Sequence, residues 1–343
     1  SILSFSSLSD NRFNPEIISQ VKDIRTELFK KGIILALVLS GATFGLSWLF
    51  LKGELNKKIF SILIVLISIG DLWVVNNEFL FLKPPEKINL HFRETRTIKY
   101  LKNDKSHFRF FPADELNSNK YGYWGIQSIG GYRAVKLRNY QDLMDAGGFG
   151  RPHILNMLNV KYILTGKKIN SPLFSPVINH NGLYQNKAVL PRAWFVNNIN
   201  NVTNQETSLQ LVLAQTFDPR KEAVIINYSG PEIPESSTGT AQIEALSENE
   251  IVLTALTSEG GLLVLSEIYY KPGWKCEIDG ILTEIFQTNH VLRSIFVPKG
   301  NHSIKFYYEI KSWEITRLIS RISFLIILFS LTFLFWQEGK NKD

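Results

Sequence analysis

The chain has 343 residues, of which 45% are hydrophobic and 20% charged, with a formal net charge of +7 and a single cysteine, Cys276. One cysteine excludes an intrachain disulfide and a thiolate metal cluster, and the scattered histidines have no zinc-ligand spacing, so no metal site or cofactor is evident. The positive charge is thin and not interleaved with aromatics, which argues for membrane-flanking charge and against a nucleic-acid partner.

Hydropathy is uneven: 33–51, 59–70 and 322–336 hold no charged residue. Residues 1–31 are polar, with an N-cap-like Ser9/Asp10, and are expected to lead as a helix into a membrane span, like an internal loop of a longer protein. Residues 32–82 then read as two transmembrane helices. Gly32–Leu51 is about the twenty residues that cross ~30 Å of hydrocarbon. Its Gly41, Ala42 and Gly45 offer a small-residue face to another helix. A short loop, 52–58, leads to the second span, Ile59–Leu82, which Pro84-Pro85 stops. Asp71 lies in that span. A carboxylate in an apolar helix points to function or a buried partner, while Asn76, Asn77 and Glu78 nearby suit a helix end that hydrogen-bonds the soluble domain.

Residues 83–229 alternate short helices (Glu94–Leu101, Leu137–Met144, Ile154–Leu158, Ser208–Gln215) with short strands (Phe108–Phe111, Lys161–Leu164, Ala193–Val196, Ala223–Ile226), an α/β pattern. The linker-like stretch 230–239 carries glycine, proline and serine. Residues 240–312 change to strand-length alternation: Ile243–Leu246, Glu250–Ala255, Gly261–Glu267, Gly273–Ile278, Leu282–Gln287, Val291–Val297 and Asn301–Tyr308. Turns fall at Ser247-Glu248-Asn249, Asp279-Gly280 and Pro298-Lys299-Gly300, which predicts an antiparallel β-sandwich with Trp274 in its core. Asp279-Gly280 suits a two-residue hairpin. A third span, 313–337, is bracketed by Trp313 and Trp336, with Arg317 and Arg321 placed to snorkel, and a tail, 338–343, comes after it. Both domain junctions share one face of the bilayer, but flanking charge does not say which.

Five residues stand out as substrate-facing candidates. Gly130-Gly131 precedes Tyr132 and Arg133. They read either as a loop presenting an aromatic and a guanidinium to a sugar or phosphate, or as a structural turn before helix 137–144. Tyr123 and Trp124, beside Tyr121, suit a sugar-stacking loop or a core cluster. Asp71 is the fifth. Asp114 and Glu115 are adjacent in sequence, which gives no opposed carboxylate geometry, and Ser266 lacks a nucleophile-elbow context.

Several motifs occur in a characteristic order. They are Gly70-Asp71-Leu72-Trp73 with Asn76, Ser128-Ile-Gly-Gly-Tyr132, Lys136-Leu-Arg-Asn-Tyr-Gln-Asp142, Asn156-Met-Leu-Asn-Val-Lys-Tyr162 and Leu190-Pro-Arg-Ala-Trp194. Leu263-Val-Leu-Ser-Glu267, Tyr269-Tyr-Lys-Pro-Gly-Trp274, Glu277-Ile-Asp-Gly280, Arg293 and Val297-Pro-Lys-Gly300 continue the series. The ordered set resembles the C-terminal portion of YfhO-type bacterial membrane proteins, in the form typical of Bacteroidetes. The resemblance implies a GT-C-type glycosyltransferase that uses a polyprenyl-phosphate-linked sugar and a glycan acceptor, together with further transmembrane helices. It places the acidic catalytic residues in an upstream loop, so none is assigned here, and this segment alone is expected not to be catalytic. It also implies a bacterial inner membrane, residues 83–314 outside the cytoplasm and a cytoplasmic tail. The fold expected is three transmembrane helices plus an extracytoplasmic α/β region followed by a β-sandwich. The alternative is a membrane-anchored glycan-binding or structural envelope module.

Overall fold

The structure is a computed structural model that describes residues 14–80 and 84–340. The expected cap at Ser9/Asp10, the end of the second span at 81–82 and the last three tail residues lie outside the described residues. The chain divides into two compact units, Ser1–His91 and Phe92–Asp343.

In the first unit, α1 (Pro15–Leu51) is one continuous helix of 37 residues. Pro15 sits at its start, where no amide donor is needed, and Asn14 caps the free Glu16 amide. At about 1.5 Å per residue it is longer than a hydrocarbon core, so the polar half before Gly32 extends beyond the apolar half. A short loop turns into α2 (Lys57–Phe79), capped by Asn56 on the Lys58 amide at 2.9 Å. Phe50 stacks on Phe60 at 4.5 Å across the hairpin. Helix α3 (Pro85–His91) closes the unit. No atom lies within 4 Å of a Cβ built on Gly41 or Gly45, so this small-residue face is uncovered among the described residues.

Among the described residues, three helices are long and apolar enough to cross a membrane, within Pro15–Leu51, Lys57–Asn77 and Ser312–Gln337. Their apolar side chains are exposed along their length, which only a lipid environment makes favourable. The chain is a membrane protein by this criterion.

The second unit begins with α4 (Arg96–Asn103), whose Ile98 and Leu101 are buried. Next comes a four-stranded sheet, in the order β1 (Arg109–Pro112), β2 (Val160–Leu164), β4 (Leu183–Asn186), β3 (Phe174–Pro176), with β1 and β2 parallel. Between β1 and β2 lie α5 (Arg138–Asp145) and α6 (Pro152–Met157).

The β-sandwich draws on both sides of the 230–239 linker. One sheet has six strands in the order β5 (Ala193–Val196), β10 (Gly261–Ile268), β14 (Leu292–Val297), β13 (Phe286–Thr288), β7 (Glu222–Ile226), β6 (Asn198–Val202). The other has five, β12 (Ile281–Thr283), β11 (Trp274–Ile278), β15 (Gly300–Tyr308), β9 (Glu250–Thr257), β8 (Gly239–Leu246). The five-stranded sheet is antiparallel, as expected. The six-stranded sheet is mixed, because β6 and β7 are parallel and α7 (Gln205–Leu213) connects them. A parallel pair needs such a crossover, and the short apolar run of α7 supplies it.

Strand β10 is buried on both faces, which explains its unbroken Leu262-Leu263-Val264-Leu265 run. Leu263 and Leu265 pack between the two sheets with Leu253, Ile304 and Phe306. Leu262 and Val264 point the other way, into a core shared with α5–α7 and β7. The predicted strand Leu282–Gln287 divides. Residues 281–283 pair in the five-stranded sheet and 286–288 in the six-stranded one, with Ile285 packed on the intervening core. Helix α8 (Lys311–Lys340) leaves directly from β15.

Candidate functional site

Gly130 and Gly131 are required by close approach. A Cβ on Gly130 would stand 2.1 Å from the Leu116 carbonyl oxygen, and Gly131, at φ +125°, would place one 2.7 Å from Asn119 Oδ1. The Asn119 side-chain amide clamps the next residue: it accepts from the Tyr132 backbone N–H at 2.8 Å and donates to the Tyr132 carbonyl at 2.9 Å. The glycine pair is therefore a structural turn, and that turn holds Tyr132 and Arg133 out on an exposed loop.

Beneath the loop lies a cavity of about 300 Å³. Arg109, Arg133 and Lys136 supply its charge, Ser128 a hydroxyl, and Tyr140 part of its wall. Tyr140 donates its hydroxyl to the Ile129 carbonyl at 2.6 Å, and burial pushes that phenol up to about 12. It is a fixed donor rather than a proton carrier.

Arg109 joins this cavity to a buried ionic cluster. Strand β10 breaks register between Leu265 and Ile268, and this irregularity carries Ser266 and Glu267. Arg109 Nη1 donates to Ser266 Oγ at 2.8 Å and to the Leu158 carbonyl at 3.1 Å, while its Nη2 lies 3.4 Å from Glu267 Oε2. Arg192, 6% exposed, donates through Nε to Glu267 Oε1 at 2.6 Å and through Nη2 to Gln127 at 2.9 Å. Arg293 stacks 4.1 Å over the Trp274 ring and donates through Nη2 to the Ile268 carbonyl at 2.9 Å.

Two guanidinium groups, those of Arg109 and Arg192, thus contact one carboxylate, and the charge of Arg293 also acts on it. Burial alone would raise the Glu267 carboxyl, but the charges of Arg109, Arg192 and Arg293 outweigh it and hold the group below its usual range. Burial in turn pulls Arg192 and Arg293 down to about 10. Both Glu267 oxygens are engaged and the cluster keeps an excess of positive charge, which favours an anion in the adjoining cavity.

The structure does not bring all five sequence candidates together. Arg133 lines the cavity. Tyr132, 66% exposed, stands beside it on the same loop. Tyr123 and Trp124 belong to a separate single-turn 3-10 helix, Lys120–Trp124. Tyr123 is exposed and packs at a tilt of 33° against Phe92, ring centroids 4.4 Å apart, whereas Trp124 packs with the cluster formed by Ile98, Phe110 and Tyr121. Asp71 is half-buried on α2, in the other unit. Asp114 accepts from the Gly166 amide at 2.6 Å and Glu115 from the Tyr121 hydroxyl at 2.7 Å, so both are structural.

Sequence reasoning missed Arg109, Arg192 and Glu267 as site residues. The available signal was a lone charge inside each of the apolar strings around 108–111, 190–194 and 262–268, since an uncompensated charge is not buried without a partner. Among the described residues, no group of three or more His, Cys, Asp or Glu side chains forms a metal site. The cavity is equipped to bind an anion by charge-assisted hydrogen bonds.

No family model, curated protein or solved structure matches the chain.

Proposed function

We propose that this chain is the C-terminal part of a polytopic GT-C-type glycosyltransferase of the YfhO kind, and that its folded domain, outside the cytoplasm, holds the phosphate of a polyprenyl-phosphate-linked sugar. The observation that carries this reading is the cavity under the 130–137 loop, which Arg109, Arg133 and Lys136 line, with the Glu267 charge compensated by arginines behind them. A phosphoryl oxygen is the common anion that such a set of guanidinium and ammonium donors fits. The order of the motifs from Gly70 to Gly300 supports the family proposed.

Proton transfer to or from an acceptor hydroxyl needs a carboxylate or an equivalent base. The cavity's charged lining is cationic, so the domain positions substrate and the chemistry belongs to an upstream acidic loop. Reconstitution of the chain in liposomes, with a polyprenyl-phosphate sugar and candidate acceptors, tests this division. The chain is expected to bind the donor without turnover. Turnover abolished by Asp71→Asn would move the active site into α2.

A second reading, a membrane-anchored glycan-binding module, is favoured by the exposed Tyr123 packed against Phe92. Saccharide binding lost in Tyr123→Ala but kept without the lipid phosphate would support it.

A further inference from the structure

The loop that roofs the cavity has a second property. Seven consecutive residues, Tyr132–Arg138, are exposed, and none is acidic. Their order, Tyr-Arg-Ala-Val-Lys-Leu-Arg, interleaves apolar and cationic side chains, and Val135 is 88% exposed. A soluble surface gains nothing from holding Tyr132, Val135 and Leu137 in water. Arg138 pairs with Asp142 at 2.8 Å, whereas among the described residues no carboxylate pairs with Arg133 or Lys136.

The position of this loop is set by its neighbours. Leu137, Arg138 and Tyr140 share a second cavity, of about 200 Å³, with Tyr269, Tyr270 and Lys271. Two residues later, Gly273 meets the residues just before the membrane helix. A Cβ there would stand 2.7 Å from the Tyr308 ring and 2.9 Å from Ile310, and the Glu309 amide donates to the Gly273 carbonyl at 2.7 Å. Helix α8 begins at Lys311, and its exposed Trp313 suits the headgroup level. The segment 269–273 thus connects the loop to the point where the chain enters the bilayer.

We propose that Tyr132–Arg138 is a membrane-docking loop, which inserts Tyr132, Val135 and Leu137 into the bilayer interface while Arg133 and Lys136 pair with anionic lipid headgroups. The partner is a lipid surface because the unpaired charges are all cationic and because α8, the apolar helix that leaves the domain next to segment 269–273, anchors it to the bilayer. Interfacial binding of this kind combines buried apolar area with attraction to anionic lipid. Arg133 and Lys136 also line the cavity, so the docking shares two cations with the function proposed for it, but label depth is read without any phosphate ligand and reports docking alone.

The test uses the full chain in nanodiscs with a nitroxide at position 135. Val135→Cys changes an exposed residue, and the native Cys276 is fully buried with its thiol pushed up by that burial, so labelling is confined to the new site. Ile281→Cys, at the hairpin on the opposite end of β11 from Trp274, serves as the aqueous reference; Ile281 is 73% exposed. In nanodiscs containing phosphatidylglycerol, the label at 135 is expected to collide with oxygen in preference to a water-soluble nickel chelate, while the label at 281 shows the reverse. Addition of Arg133→Gln and Lys136→Gln, or replacement by purely zwitterionic lipid, is expected to move the label at 135 toward water. The proposal is overturned if the two labels are equally aqueous. It is also overturned if neutralising both cations leaves the depth unchanged, or if the label at 135 is immobile and shielded from both colliders, which would indicate a protein partner.

Discussion

Arg109 Nη2 lies 3.4 Å from Glu267 Oε2, and the same arginine lines the cavity under the 130–137 loop. One side chain thus ties the exposed site to the centre of the domain. The tie depends on irregularities in two strands: β1 shifts register against β2 between Arg109 and Phe110, and β10 shifts against β14 between Leu265 and Ile268. Regular pairing alternates side chains strictly between faces, so these breaks re-aim the two charged groups.

Glu267→Gln is expected to destabilise the domain by about 3–5 kcal/mol, because it leaves the paired guanidinium groups of Arg109 and Arg192 without their counter-charge. Denaturant unfolding of the full chain in detergent, followed by tryptophan fluorescence, measures this. An unchanged midpoint would mean that the arginines are compensated elsewhere.

Gly130→Ala is expected to cost about 1–3 kcal/mol, the usual penalty of forcing atoms into a packed site. The obstruction is the Leu116 backbone rather than a flexible side-chain tip. The substitution should also loosen the loop, which proteolysis near 132–138 would report. Gly122→Ala, where nothing lies within 4 Å, is the control expected to show no such effect.

The turn between β11 and β12 carries Asp279 at φ +51° and Gly280 at φ +83°, the conformation of a two-residue hairpin with both central residues left-handed. Gly280→Val is expected to cost at least about 1–2 kcal/mol, because a β-branched residue resists that conformation. Asp279→Ala removes the acceptor for the Ser303 amide, at 2.9 Å, and the partner of His302, at 2.6 Å. Both variants should lower the melting temperature. An unchanged melting temperature in both variants would contradict a structural role for the turn.

The Asp279–His302 pair also sets a pH dependence. The hydrogen bond from His302 holds the Asp279 carboxyl below its ordinary value, and the bond to Asp279 raises the His302 imidazolium above its own. A raised histidine contributes stability that is fully present below its unfolded value, near 6.5, and is lost as pH rises through the folded value. The lowered carboxyl contributes stability that is present above its unfolded value and is lost as pH falls through the folded one. Wild type minus Asp279→Asn should therefore show a stability difference that is largest from about pH 5 to 6 and shrinks on either side. A difference independent of pH would contradict the pair.

Much of the fold was legible from periodicity. The three apolar runs, the helix at 138–145 and most strands of the five-stranded sheet carry strong alternation or long apolar stretches, and the Asp-Gly turn has its own chemistry. The illegible parts depend on partners far away in sequence. The short strands at 174–176, 183–186 and 198–202 are polar or too brief to alternate, and they exist because neighbouring strands pair with them. The six-stranded sheet likewise crosses the linker because β5 pairs with β10, Val264 opposite Trp194. In the site, Tyr132 and Arg133 were visible as an aromatic and a cation after a glycine pair. Arg109 and Glu267 were not, because 157 residues separate Arg109 from its Ser266 partner in the chain.

Titration of the full chain in zwitterionic detergent, where no anionic lipid engages the loop, with geranyl phosphate and with geraniol tests phosphate recognition most directly. The phosphate ester should bind, and the alcohol should bind at least tenfold more weakly, corresponding to about 1.4 kcal/mol. The combined Arg133→Gln and Lys136→Gln variant, whose substitutions lie on the exposed loop and spare the core, should lose that preference. Equal affinity for the two ligands, or a preference that survives both substitutions, would contradict a phosphate site under the loop.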